Sequence, residues 1–249
     1  MRKSVSAIIV SLFFAISALT QHKFSDREAD ELKRSVQKVV TVNARLTNKS
    51  GESVEGKRIP DIVATYDSLG NLVKREVYLR GSLLDVYEYG FLEGDRVVKI
   101  TRVGPPDNVG GGGPGPKAPP DPRYTFRFKY KYDTKGNRTE EFWYGNDGSL
   151  RRREVSAYDE KGNRVERSSY IPNAKQPSLR IVAVYNDRGD VIEETVFRVG
   201  VSTDERWSYR YAFDSNGNWV KRERMRWVTK EGKSYFEPYD ITHRSITYF

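Results

Sequence analysis

The chain has no cysteine and only two histidines among its 249 residues, and both shortages close off chemistry. Without a thiol there is no disulfide, no thiolate metal site and no cysteine for a lipid anchor. His22 sits near the start of the expected mature chain and His243 near its end. A nucleophile–histidine pair or an ordinary zinc site therefore lacks its parts. Long apolar runs are scarce too. The one present is SVSAIIVSLFFAISAL, 4–19, behind Arg2 and Lys3 and ahead of Thr20-Gln21. It is shorter than the roughly 20 apolar residues a spanning helix needs. With its basic start and small residues at Ala18 and Thr20 it has the pattern of a secretory leader. The expectation is a signal peptide over 1–20, no transmembrane segment in the mature chain, and a secreted, periplasmic or extracellular location.

Charge is plentiful and mixed. Lys and Arg number 43 against 34 Asp and Glu, a formal net charge of +9. With Arg2 and Lys3 removed, and no acid before Gln21, +9 becomes +7. Such a balance favours anionic surfaces, yet charged residues of both signs make up 31% of the chain, which is also how a salt-laced surface reads.

Ahead of the main pattern lies FSDREADELKRSVQKVV. Ser25 and Glu28 are spaced as a capping box, each side chain serving an orphan N–H of a helix start. Ala29, Leu32, Val36 and Val39 then recur at helical spacing. This predicts an amphipathic helix over 26–38 within a lead-in over 21–59.

From residue 60 to 249 one unit returns. It reads YDSLGN (66–71), YDTKGN (132–137), YDEKGN (158–163), YNDRGD (185–190) and FDSNGN (213–218). Its Asp or Asn suits the first position of a turn, bonding the backbone two residues on. Its Gly supplies the positive φ that closes a hairpin with a bulge. The expected turn residues are Asp67, Gly70, Asp133, Gly136, Asp159, Gly162, Gly189, Asp214 and Gly217. Weaker turn signals fall midway between the units, so strands of about eight residues alternate with turns. In RYTFRFKYKYD the aromatics Tyr124, Phe126, Phe128, Tyr130 and Tyr132 fall on one face and Arg127, Lys129 and Lys131 on the other. RWSYRYAFD repeats the pattern, and period two is the signature of a strand. The beat breaks once, at the Gly/Pro-rich VGPPDNVGGGGPGPKAPPDP, 103–122, which reads as a flexible loop.

Aromatic-Asp-x-x-Gly-Asn flanked by strands resembles the YD repeat of Rhs and teneurin-type proteins, and the likeness covers residues 60 to 249. It implies a β-sheet shell and an extracellular setting, and it supplies no catalytic residue. Two departures stand out. The array is short for closing such a shell, and the chain ends in THRSITYF, one last strand, without a terminal toxin domain.

Three other chemistries fit individual stretches. DSNGN and NDRGD faintly resemble a calcium loop but lack its remaining ligands, and Asx turns use the same residues. FRFKYKY and WSYRYAF mix bases with aromatics as single-strand nucleic-acid binders do, although strand geometry sends the two types to opposite faces. Asn48-Lys-Ser50 and Asn137-Arg-Thr139 are glycosylation sequons by pattern. No cofactor, metal or nucleic acid is expected. If aromatics are exposed, Tyr130, Trp143, Trp207, Tyr209, Tyr211 and Trp219 are the candidates for stacking on sugar rings.

The expected fold is all-β: an elongated, curved antiparallel meander of tandem hairpins with one short N-terminal helix. The expected function is a secreted or envelope-associated, non-enzymatic binding or scaffold module for an envelope polysaccharide or a protein partner. The alternative is a glycan-active enzyme using a carboxylate pair on the same sheet.

Overall fold

The structure, a computed structural model, describes residues 25–49, 52–93, 95–103 and 124–249. The expected leader and, apart from Val103, the Gly/Pro-rich stretch 103–122 lie outside them. A four-residue helix, α1 (Asp26–Ala29), is followed by fifteen strands. They are β1 (Val36–Lys49), β2 (Glu52–Glu55), β3 (Ile59–Tyr66), β4 (Leu72–Leu79), β5 (Ser82–Leu92), β6 (Asp95–Arg102), β7 (Tyr124–Tyr132) and β8 (Arg138–Tyr144). There follow β9 (Leu150–Ala157), β10 (Glu166–Tyr170), β11 (Leu179–Tyr185), β12 (Val191–Arg198), β13 (Glu205–Phe213), β14 (Trp219–Lys230) and β15 (Lys233–Tyr248).

From β3 to β15 each strand pairs antiparallel with the next. β6 and β7 are direct neighbours, so the sheet runs unbroken across the Gly/Pro-rich stretch. β1 is long enough to do three things. Its far end carries the short hairpin partner β2. One edge takes β3, from Lys38 opposite Thr65 to Asn43 opposite Ile59. The other takes β15, from Val36 opposite Tyr248 to Arg45 opposite Asp240. The sheet closes on itself as a barrel of fourteen strands, with β2 appended.

Closure corrects the sequence-based picture in two respects. The elongated, open meander of tandem, Rhs-like hairpins is replaced by a ring, and the array that read as too short to close does close. An open sheet this long would leave two rows of unpaired N–H and C=O groups; joining β1 to β15 satisfies both. The helix is corrected as well. Its capping box forms, Ser25 N–H donating to Glu28 Oε2 at 2.8 Å and Glu28 N–H to Ser25 Oγ at 3.2 Å. The helix nevertheless stops at Ala29, because Glu31 (φ 61°) and Arg34 (φ 68°) turn the chain into the left-handed region. The Val-rich VQKVVTV after it is β-branched and becomes β1.

Opposed residues in the ladders share a face. Arg96, Phe128, Trp143 and Arg152 are aligned across β6 to β9, and Tyr209, Arg224 and Asp240 across β13 to β15. This is the inward face, since residues 26–31 touch Tyr66, Arg75, Arg96, Arg138 and Trp219, on five strands around the ring. One short segment reaches all five only from within. Two apolar clusters sit on this face. Leu32, Val36, Val39, Ala64, Tyr66 and Leu72 seal the N-terminal segment to β1, β3 and β4. Val191, Val196, Trp207 and Tyr209 form the second.

The outward face interleaves ion pairs with aromatic side chains, among them Phe142 under Lys131, Phe197 under Arg180 and Trp227 under Arg206. Lys74 meets Glu76, Lys99 meets Glu88, Lys131 and Arg153 share Glu140, Arg180 meets Glu166, Arg206 meets Glu193 and Lys221 meets Glu223. The bases expected on the wet face of β7 and β13, among them Lys129, Lys131 and Arg210, are exposed there.

Candidate functional site

One end of the barrel is rimmed by the five repeated turns. At each, Gly takes a positive φ, from 79° at Gly217 to 87° at Gly70 and Gly136. Gly N–H donates to the carbonyl of the first turn residue, whose own N–H donates to the carbonyl of the last, as in Gly162 to Asp159 (3.1 Å) and Asp159 to Asn163 (2.9 Å). The side chains repeat the ring. Asn71, Asn137 and Asn163 each donate through backbone N–H and side-chain amide to the two carboxylate oxygens of Asp67, Asp133 and Asp159, at 2.8–2.9 Å. In YNDRGD the roles are exchanged, the Asn186 amide donating to Asp190 Oδ2 at 3.1 Å. Hydrogen bonding from Asn137 and Asn163 holds the Asp133 and Asp159 carboxyls below the usual carboxylate range.

Neighbouring turns are also tied to each other. The Tyr158 hydroxyl donates to the Arg138 carbonyl and the Tyr185 hydroxyl to the Arg164 carbonyl, both at 2.9 Å. Each acceptor is the residue just after the preceding unit. The fifth unit begins with Phe213, and Tyr211 takes over the bond, donating to Val191 O at 2.7 Å. In the third and fourth units the aromatic of the motif is thus a rung to the preceding repeat.

Across this rim runs a strap, residues 25–35. Arg27 N–H donates to Gly70 O at 3.0 Å. Asp26 accepts from Leu72 N–H at 3.0 Å and from the buried Arg96 at 2.7 Å, and Arg138 approaches to 3.6 Å. Asp30 accepts from the Tyr66 hydroxyl at 2.5 Å and from Arg75 at 2.9 Å. On the far side of the ring Glu31 accepts from Trp219 Nε1 at 3.3 Å. There Lys33 N–H donates to Asn218 Oδ1 at 2.6 Å, and the Asn218 amide returns a bond to Lys33 O at 2.9 Å. Three strap carboxylates are thereby set among lumen arginines.

The strap divides the mouth into two cavities. One, about 230 Å³, has walls of Tyr158, Tyr185, Tyr211, Phe213 and Trp219 and polar groups from Arg164, Arg188, Glu28 and Glu31. The Arg188 guanidinium lies 4.0 Å above the Phe213 ring. Burial, reinforced by Glu31, pushes the Tyr185 hydroxyl up to about 12. The other, about 480 Å³, lies between Asp26, Phe91, Arg96, Phe128, Tyr130 and Arg138. Deeper in, a void of about 30 Å³ touches Glu141 and Glu154, which face one another across β8 and β9. That is room for one or two waters. Arg138 donates to Glu141 at 2.9 Å, Trp143 Nε1 donates to it at 2.5 Å, and Arg152 pairs with Glu154.

The six candidate stacking residues do not form an exposed row. Trp207, Tyr209 and Trp219 are buried. Tyr209 donates to Glu194, and Trp207 packs edge-on against Tyr239 at 5.1 Å. Trp143 stands edge-on to Phe128 at 4.9 Å. Tyr130 and Tyr211 reach the mouth, in different cavities, with Arg138 4.4 Å above the Tyr130 ring. The inward arginines were missed by the sequence reading. Arg222 and Arg224 lie opposite Tyr211 and Tyr209, a register countable from the FDSNGN turn and its bulge. His243 bonds Glu55 of β2 at 2.9 Å. Among the described residues no three His, Asp or Glu side chains gather as metal ligands, and no helix is long and apolar enough to cross a membrane.

No protein-family model matches the sequence, and no curated protein matches it. A crystal structure of a porin-like protein from Bacteroides uniformis ATCC 8492 is similar with a TM-score of 0.45 at 10% identity, over 86% of this chain and 99% of that one. A chain in the crystal structure of TcdB2-TccC3-Cdc42 is similar with a TM-score of 0.24 at 13% identity, over 82% of this chain and 13% of that one. At these values neither likeness carries a residue, a ligand or an activity across.

Proposed function

We propose that the chain is a non-enzymatic binding barrel of the cell envelope, its outer wall in water and its ligand entering at the strapped mouth. The observation that carries this is the division of faces. A barrel in lipid turns an apolar band outward and keeps its polar groups inside. Here Lys131, Lys99 and Arg180 stand in ion pairs on the outer wall, their side chains 62%, 51% and 42% exposed. A barrel of about 8 strands is filled by its own side chains and one of about 16 holds a channel, so fourteen leave room for a ligand. The mouth offers ring faces beside forked cationic donors, a combination suited to a short stretch of envelope glycan. The secretory leader read from 1–20 supports the location.

The test is calorimetric titration of the chain from Gln21 with oligosaccharides released from envelope polysaccharide. Binding at both low and high salt, weakened by Phe213→Ala, is the expected result. Binding that vanishes with salt would reduce the effect to the net charge.

The facing pair Glu141 and Glu154 favours a second reading, a glycan-cleaving enzyme. The space beside the pair admits only water, and Arg138 and Arg152 already occupy both carboxylates. Release of reducing ends by the wild-type chain, abolished in Glu141→Gln, would establish the enzyme instead.

A further inference from the structure

The strap accounts for the acids at the mouth, but two lumen arginines near it are left over. Arg222 on β14 and Arg244 on β15 both lie at the indole of Trp219, their guanidinium carbons 4.8 Å and 3.4 Å from the ring centre. Neither makes an ion pair among the described residues. Nε of Arg222, and Nε and Nη1 of Arg244, are shut away from the surface and meet no acceptor on the protein. Of the acids around them, Asp61 faces Arg222 and Arg224 and is held by the Asn43 side chain, and the others are engaged elsewhere. Glu31 takes the Trp219 N–H, Asp30 takes Tyr66 and Arg75, and Asp240 is held in a two-pronged pair by Arg224 at 3.1 and 2.5 Å.

Two neighbouring cations with buried N–H groups that meet no acceptor, and with no carboxylate in ion-pair contact, are costly in a protein interior. Burial draws the Arg244 guanidinium down to about 10, against the pull of Glu31 and with the push of Arg222. The indole holds the guanidinium planes in place, leaving their edges as donors. Guanidinium forks match the paired oxygens of a carboxylate or phosphate. Trp219 also lines the aromatic cavity of the mouth, which places that cavity beside the pair.

We propose that Arg222 and Arg244, on a floor of Trp219, form an oxyanion site in the lumen that takes the carboxylate or phosphate of an acidic envelope glycan. The inference rests on the lumen being the ligand-bearing space, and it narrows the ligand to an acidic one.

The experiment is calorimetric titration of the mature chain with inorganic phosphate and, separately, with glucuronate, at matched ionic strength. Saturable binding of either is expected, weakened by about tenfold or more in Arg222→Gln, which loses the forked donor. It should be unchanged in Arg180→Gln on the outer wall. Binding of phosphate alone assigns a phosphorylated ligand and of glucuronate alone a uronic acid. No saturable binding of either, or equal binding by Arg222→Gln, overturns the proposal. Should Arg222→Gln not fold, Arg222→Lys keeps the charge and loses the fork, and wild-type affinity in that variant overturns the proposal equally. Phe213→Ala separates this site from the mouth: phosphate binding survives it if the arginines are the site, even where oligosaccharide binding is absent.

Discussion

A single glycine per turn decides whether the rim exists. Gly162 has φ 86° and its missing Cβ would lie 3.8 Å from Asn137 Oδ1, so space is not the constraint and conformation is. Gly162→Val should lower stability by more than about 1 kcal/mol, read from urea unfolding. An unchanged midpoint would contradict the turn geometry. At Gly189 the same atom would stand 3.2 Å from Asn163 Oδ1, so contact adds to strain there. The turn aspartates also set a pH dependence. The folded carboxyls of Asp133 and Asp159 are depressed by the Asn137 and Asn163 hydrogen bonds. Their contribution is complete above the ordinary value of about 3.9 and is lost as pH falls through the lower folded values. The melting temperature should therefore fall on acidification below about pH 4. Asn137→Ala should move the Asp133 titration, followed by NMR, back up toward the ordinary range. These turns were legible in the sequence because their chemistry is local: a carboxylate, an amide and a glycine within six residues.

At the scale of elements the strap matters most, and it was misread. Ala29, Leu32, Val36 and Val39 fit a helical period, yet Leu32 and Val36 pack beside Tyr66 and Leu72 after the helix has ended. Helical spacing and a turn-then-strand path are alike over so few residues; what separates them is the left-handed backbone at Glu31 and Arg34. The partners of the strap acids lie 36 to 188 residues away, at Tyr66, Arg75, Arg96 and Trp219, and nothing in local spacing marks them. Asp26→Ala leaves Arg96, whose side chain is 7% exposed, without its carboxylate. Breaking such a pair should cost about 3 kcal/mol by denaturant unfolding. A loss below about 0.5 kcal/mol, the scale of a surface pair, would mean that the strap is not an integral part of the barrel.

For the whole molecule, closure was the part that spacing could not reveal. The alternation of Tyr209 and Tyr211 with Arg210 identifies a strand and its two faces, but not whether the last strand finds the first. That is decided by the pairing of Thr41 with Arg244 and its neighbours, the longest sequence separation in the sheet. The charged outer wall has a bulk consequence. The chain from Gln21 should remain in solution without detergent and stay at the bottom of a liposome flotation gradient. Recovery with the floated lipid would mean that the outward face meets hydrocarbon. A ring also has no natural starting point. The C-terminal residue Phe249 donates its N–H to Ser35 O at 3.0 Å, which brings the end of the chain beside the foot of β1. A circular permutant, with Phe249 joined through a flexible linker to Ser25 and new termini opened in the exposed turn residues 146–149, should therefore rebuild the same barrel, its order of synthesis changed and its order of neighbours kept.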